Sequence, residues 1–529
     1  MQAVLKHIRE RAEGLARHRL FTEWIERDDV EPRQKLLFMP EAIDFVMGFR
    51  DFNEYYVVYP EPADALERAL TAHAHEDATH SRLFLEDWRA LAIDDLLGWA
   101  PRDLYWWMTC EETQESRRLD FELISLVYHE PDPRLRFPII ESMEAAGHVF
   151  FQRTVPVVEA LAATTGRDYP YFGRYHLERE SGHLQNADER AFHEVRLSPA
   201  ERARALGLVR RVFEIFERHF DRWERLARAI RDGRWDVDPR AQGRASADVR
   251  ADASADVSRF MSLTHPADAT GTVAELKALR QASFDALWDT PFHRWVREAW
   301  PGDFGRMVRY FLLQWVVDNW TCADYFVFDT PYAEPLAPVE RGINRLSSLY
   351  ASEMKRRYVE WETLAFDDFT GWTPAEALAH YWLDEGVEKN RRLFADLRKL
   401  TFRYPKPLHR YWILKCFVRF GDALMHSLGV AMRRARVADE VFPVFAGSPE
   451  RLHPDLPPDP EADEAIARLE RQPVCPEDER IIRAIVAETH RQEARRSDAS
   501  WRVVQDGIYE PFDRRWQSRT RSDVAPAPA

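Results

Sequence analysis

Apolar residues along most of this chain return at steps of three and four, the spacing that places them on one side of a helix. Ser198 to Arg231 (SPAERARALGLVRRVFEIFERHFDRWERLARAIR) shows it most clearly. A cap-like Ser-Pro opens the stretch, and charged residues fill the positions between the apolar ones. Alternation of the strand type is scarce. Gly and Pro gather between the periodic stretches, as in Tyr59-Pro-Glu-Pro62 and Glu130-Pro-Asp-Pro133. The pattern predicts an all-α protein.

The pattern also repeats. Ile93-Asp-Asp-Leu-Leu-Gly-Trp99 resembles Phe366-Asp-Asp-Phe-Thr-Gly-Trp372, and Asp51-Phe with Tyr59-Pro-Glu-Pro62 matches Asp324-Tyr with Tyr332-Ala-Glu-Pro335, all at a shift of 273. Arg117-Arg-Leu, Pro131-Asp-Pro and Gly147 match Arg391-Arg-Leu, Pro405-Lys-Pro and Gly421 at 274. An offset kept over about a hundred residues predicts a tandem duplication. The expected organisation is a helical domain over 1–231, a linker over 232–272, a second helical copy over 273–522 and a frayed tail over 523–529. The linker is rich in Ala, Asp, Arg and Gly, and a further low-order stretch is expected from Ala446 to Pro460.

A chain of 529 residues with 45% hydrophobic content can bury more than one core. Its net charge of −15 argues against nucleic acid as a partner, since phosphate binding needs a basic footprint. No stretch long enough to span a bilayer is free of charge, and the amino terminus has no signal-like apolar run, so a cytoplasmic protein without membrane contact is expected. Cys110, Cys322, Cys416 and Cys475 lie far apart, which indicates neither a disulfide framework nor a thiolate metal site.

Candidate chemistry is concentrated in three segments of the first half. In Thr71-Ala-His-Ala-His-Glu-Asp-Ala-Thr-His80, helical spacing puts His73, Glu76, Asp77 and His80 on one face. Glu141, Glu144 and His148 share a face of the second segment, and His176, Glu180 and His183 a face of the third. Imidazole with carboxylate suits iron or manganese, and three helices offering two ligands each can surround a dinuclear centre. The aligned second-half positions are Leu346, Leu349, Tyr350 and Glu353, then Lys415, Val418 and Asp422, and the third cluster's counterpart falls in the proline-rich 451–460. The repeat thus keeps the scaffold without the ligands. Trp106, Trp107, Phe150 and Phe151 are candidates to wall a pocket. Glu111, Glu112 and Glu385 are candidate interior polar residues.

His176-x3-Glu180-x2-His183, preceded by Glu144 and His80, resembles the ligand pattern of the haem-oxygenase-like di-iron oxidases and oxygenases over about residues 35 to 230. The resemblance implies tandem haem-oxygenase-like bundles, the second degenerate. It implies two Fe(II) per chain, with Mn the alternative, and O2 as co-substrate. Metal ligands would come from Glu76, Asp77, His80, Glu144, His176, Glu180 and His183, with His73, Glu141 and His148 as further candidates. His73 stands where the family carries its first glutamate, so Glu76 and Asp77 are the alternatives for that ligand. The implied substrate is small and amino-acid-like or fatty-acid-like, with N-oxygenation, desaturation or C–C cleavage as outcomes, an external electron donor, and a monomer or homodimer.

Two other readings fit the same residues. A non-catalytic ferritin-like iron-binding bundle would use Asp77-x2-His80, Glu180-x2-His183, Glu144 and Glu41 or Asp44. A helical scaffold without metal would carry the clusters as solvated faces.

Overall fold

The computed structural model describes residues 1–110, 112–183, 192–235, 272–298, 337–351, 366–417 and 459–506, with positions 313, 361, 420, 423 and 427. Among these residues every regular element is helical, as the periodicity predicts. No helix among the described residues is long and apolar enough to cross a membrane. The expected linker, apart from its ends, and the tail at 523–529 lie outside the described residues, as does 446–458. Two compact units result: Met1–Arg240 with Thr373–Asp384, and Ala241–Trp372 with Glu385–Ala529.

Unit 1 contains α1 (Gln2–Leu15), α2 (Met39–Phe52), α3 (Ala65–Asp77), α4 (His80–Ala90), α5 (Ile93–Leu97), α6 (Pro101–Thr109), α7 (Gln114–Tyr128), α8 (Pro133–Thr165), α9 (Arg174–His183) and α10 (Pro199–Arg231). The longest two, α8 and α10, pack on each other and on α1, while α2 packs on α4 and α7. α10 begins where the Ser-Pro signal predicts. Ser198 accepts the Glu201 N–H, and the Glu201 carboxylate accepts the Ser198 N–H, so two otherwise unpartnered donors are satisfied at the helix start. α8 ends on Gly166, whose φ of +66° is a left-handed conformation that glycine adopts without penalty.

Unit 1 also holds a helix from far along the chain. α15 (Pro374–Leu383) packs on α6 and α4. Tyr105 Oη donates to the Ala377 carbonyl at 2.9 Å, and the Ala375 N–H donates to Asp94 Oδ2 at 3.2 Å.

Unit 2 contains α11 (Thr272–Trp288), α12 (Pro291–Glu298), α13 (Pro338–Ala351), α14 (Phe366–Thr370), α16 (Glu385–Arg403), α17 (Pro460–Arg471) and α18 (Pro476–Asp506). Here α18 packs on α11, α12 and α16, and α13 packs on α17. The core includes Leu276, Phe284, Leu397, Trp412, Ile482 and Ile485. Lys415, the counterpart of Glu141, is buried. The side chains of Leu346, Leu349 and Tyr350 lie outside the described residues, as do Glu353, Val418 and Asp422.

Unit 2 buries His293 on α12, its Nδ1 2.8 Å from Thr290 Oγ1. Burial, reinforced by Arg496 and Arg297, pulls its pKa down to about 3 from 6.5. Between those values the unfolded chain takes up a proton that folded His293 refuses, so stability is lost as pH falls below 6.5. His293→Gln is expected to flatten the fall in urea-unfolding free energy across that window, by up to about 1.4 kcal/mol per pH unit. Parallel pH profiles for variant and wild type would refute the assignment.

Candidate metal centre

Four helices of unit 1 bring donors together. α3 starts on Asp64, whose carboxylate accepts the Glu67 N–H at 2.9 Å, and it carries His73 and Asp77 one turn apart at its far end. The single face expected over 71–80 is split between two helices. Ala78 and Thr79, at ψ −11° and −13°, depart from ordinary helical ψ, so α3 stops at Asp77 and His80 opens α4. Glu144 comes from α8 and His176 from α9.

His73 Nε2 lies 3.1 Å from Asp77 Oδ2 and 3.4 Å from Glu144 Oε1. One donor atom from each of these three lies within 4.8 Å of the others, so the group could hold a metal ion. The other oxygen of Asp77 is 4.0 Å from His80 Nδ1, which in turn is 3.2 Å from His176 Nε2. Asp77 therefore joins two sets of donors, His73 with Glu144 and His80 with His176. Asp77 is 1% exposed, His80 3% and His176 2%, so these three side chains do not lie on a solvated face.

Charge balance explains how these groups sit together. Burial pulls the His73 imidazole down, but the Asp77 and Glu144 carboxylates outweigh it and hold the ring well above the ordinary histidine range. A cation between two carboxylates fills the electrostatic role that a divalent ion would take. His176 is oriented by its other nitrogen. Nδ1 lies 2.9 Å from the Tyr171 carbonyl, which can only accept, so Nδ1 carries the hydrogen and Nε2 faces His80. The Tyr171 turn is tight at Gly173, where a Cβ would meet the Tyr169 carbonyl oxygen at 2.3 Å. The donors present, imidazoles and carboxylates without thiolate, fit ferrous iron or manganese.

The remaining candidates are placed differently. Glu141 is half-buried near His73, its carboxyl pushed up to about 7 by burial against the pull of His73 and Arg9, and it lies outside the three-residue donor group. Glu76 is half-buried and also outside it. His148, one turn past Glu144, has Nε2 2.8 Å from Gln152 Nε2. Glu180 and His183 continue α9 one and two turns past His176, and their side chains lie outside the described residues. Glu41 is committed elsewhere, accepting from Ser116 Oγ at 2.6 Å and Arg222 Nε at 2.5 Å.

An aromatic cavity opens on the donors and holds about 680 Å³ of empty space, mouth included. His80, Glu144 and His176 are on its wall, with Phe38, Phe45, Phe150, Phe172, Phe220 and Trp223 among the rings. The wall carries no Lys or Arg among the described residues. Phe150 and Phe151 line it as expected. Trp106 and Trp107 do not: Trp107 Nε1 donates to the Pro40 carbonyl at 2.9 Å instead. The Glu112 carbonyl accepts the Arg222 guanidinium, while Glu111 and the Glu385 side chain lie outside the described residues.

Sequence reasoning did not find Asp87 or the Tyr171 carbonyl. Asp87 had a signal in the sequence, standing seven residues after His80 and so on the same helical face. A backbone carbonyl has none.

No protein-family model matches the chain, and no curated protein is detectably similar to it.

Asp77→Asn, which keeps the shape of the side chain but removes the charge shared by both donor sets, is expected to weaken Mn(II) binding by more than the roughly 10- to 100-fold typical of an outer-shell loss. His148→Ala is expected to leave the affinity unchanged. Calorimetric titration of both variants checks this, and the reverse ranking would overturn the assignment.

Proposed function

We propose that the chain is an O2-dependent non-haem di-iron oxidase or oxygenase of the haem-oxygenase-like type, acting on a small, predominantly apolar substrate. One observation carries this reading. Imidazole and carboxylate donors from four helices come together, and three of them, His80, Glu144 and His176, stand on the wall of an aromatic cavity. His73, Asp77, Glu144, His80 and His176 would hold the metal, with Glu180 and His183 implied by the sequence pattern. Bound iron supplies the electron chemistry that reduces O2, which these side chains do not offer alone.

The chain's own residues bind, orient and exclude water. The carboxylates of Asp77 and Glu144 supply negative charge where a cation is needed, and the rings around the cavity keep that charge in a dry setting where it acts strongly. The wall favours the fatty-acid-like over the amino-acid-like class, because among the described residues its only charged or imidazole groups are the donors themselves. On a ferritin-like reading Glu41 is engaged by Ser116 and Arg222, which leaves Asp44 as the remaining carboxylate.

We also read the two halves as tandem copies. Trp88 Nε1 donates to Asp94 Oδ1 at 2.6 Å, and Trp361 Nε1 donates to Asp367 Oδ1 at 2.7 Å, both at the shift of 273. The short helices that follow end on Gly98 at φ +61° and Gly371 at φ +60°. These agreements support the repeat.

Anaerobic Fe(II) titration followed by exposure to O2 in a stopped-flow spectrometer tests the reading. The expected result is two irons per chain and a transient visible absorbance, with weakened iron binding and no such absorbance in His176→Ala. Iron binding that is absent, or indifferent to that substitution, would leave a helical scaffold as the better description.

A further inference from the structure

Asp87 sits two turns along α4 from His80, with 0% of its surface exposed. It is not among the donors that approach the centre, yet its carboxyl is tied to the segment that orients one of them. Asp87 Oδ2 accepts the Phe172 N–H at 2.9 Å. Phe172 belongs to the turn at 169–173 that leads into α9, and the Tyr171 carbonyl of the same turn accepts the His176 Nδ1–H. From the other side, Thr154 Oγ1 on α8 donates to the Phe172 carbonyl at 3.0 Å. The turn is thus gripped by α4 through its amide and by α8 through its carbonyl.

This grip has a chemical consequence. An imidazole can present a lone pair from Nε2 only if Nδ1 keeps the hydrogen, and the Tyr171 carbonyl enforces that form only while it stays in place. Without Asp87, the Phe172 amide would be left in an apolar setting with no acceptor, and the turn would move to find one. We propose that Asp87 is a positioning residue. Acting through the Phe172 amide and the Tyr171 carbonyl, it fixes the tautomer and direction of His176. The proposal rests on the metal-centre reading above. Outer-shell partners of this kind usually contact the ligand directly; here the link runs through one peptide unit.

Burial pushes the Asp87 carboxyl up to about 8, against the pull of the Phe172 and Tyr171 amides. At neutral pH it is mostly protonated, so asparagine is its close isostere and keeps an acceptor oxygen for Phe172. Leucine has the same branched skeleton, with bulkier methyls in place of the oxygens, and keeps none.

Mn(II) titration followed by electron paramagnetic resonance would compare wild type, Asp87→Asn, Asp87→Leu, His176→Ala and the Asp87→Leu/His176→Ala double variant. Asp87→Leu is expected to weaken binding roughly 10- to 100-fold, Asp87→Asn to restore it, and Asp87→Leu to add nothing once His176 is gone. Equal affinity in wild type and Asp87→Leu overturns the proposal while leaving the metal centre intact. So does an undiminished loss in the His176→Ala background, which would mean general loosening. Failure of the wild type to bind Mn(II) removes the metal centre and the proposal together. Nitrogen NMR of histidine-labelled wild-type protein gives a reading that does not depend on the leucine variant folding. The His176 signal, assigned by its loss in His176→Ala, is expected in the Nδ1–H form, and the Nε2–H form would overturn the proposal.

Discussion

A buried carboxylate needs a positive partner, and Asp77 imposes that need on everything around it. Removing such an ion from water costs several kcal/mol unless a counter-charge and hydrogen bonds replace the lost solvation. One oxygen of Asp77 meets the need at His73, the other lies 4.0 Å from His80 Nδ1, and Glu144 completes the surroundings of His73. The break at Ala78 and Thr79 belongs to the same arrangement, because it starts a new helix on His80 immediately after α3 has delivered Asp77. Local backbone irregularity and electrostatic balance are here one feature.

The aromatic surroundings give that balance its strength. The Phe151 ring centroid is 4.1 Å from that of His176 and the Tyr171 centroid 4.9 Å, so the imidazole has little room to turn. Farther from the donors, Phe38 and Trp223 stack at 5.4 Å, with interplanar angle 9°, and Phe150 packs on Trp223 and Phe172. Rings of this kind exclude water without competing for the donors, which raises the weight of every charge they enclose.

The fold class was legible because helical periodicity is a local property, and the Ser198 cap even marked the start of α10. Much of the donor set was legible for the same reason: His73 with Asp77, and Glu144 with its neighbours on α8, are related by helical spacing alone. What the sequence could not distinguish was Asp77 from Glu76. Adjacent residues point about 100° apart, and which of them faces inward depends on how α3 rolls against α8, a tertiary matter. Trp107 misled for a similar reason, since an aromatic near the clusters in sequence turned its indole to the Pro40 carbonyl. Phe216, Phe220 and Trp223 read as an ordinary apolar stripe on α10, and only packing shows that the stripe faces a cavity. The place of α15 in unit 1 had no local signal at all.

That last feature bears on how the molecule can be divided. Tyr105 and Asp94 find partners in α15, a segment separated from them by more than half the length of the chain. A polypeptide ending in the 232–272 segment would therefore lack a piece of its own unit, and the complementary fragment would carry that piece away. No single scission yields both units whole. Whatever the origin of the two halves, their present interdependence is topological: gene fission, domain shuffling or the loss of the second half would each remove a helix on which the half with the donor cluster is built.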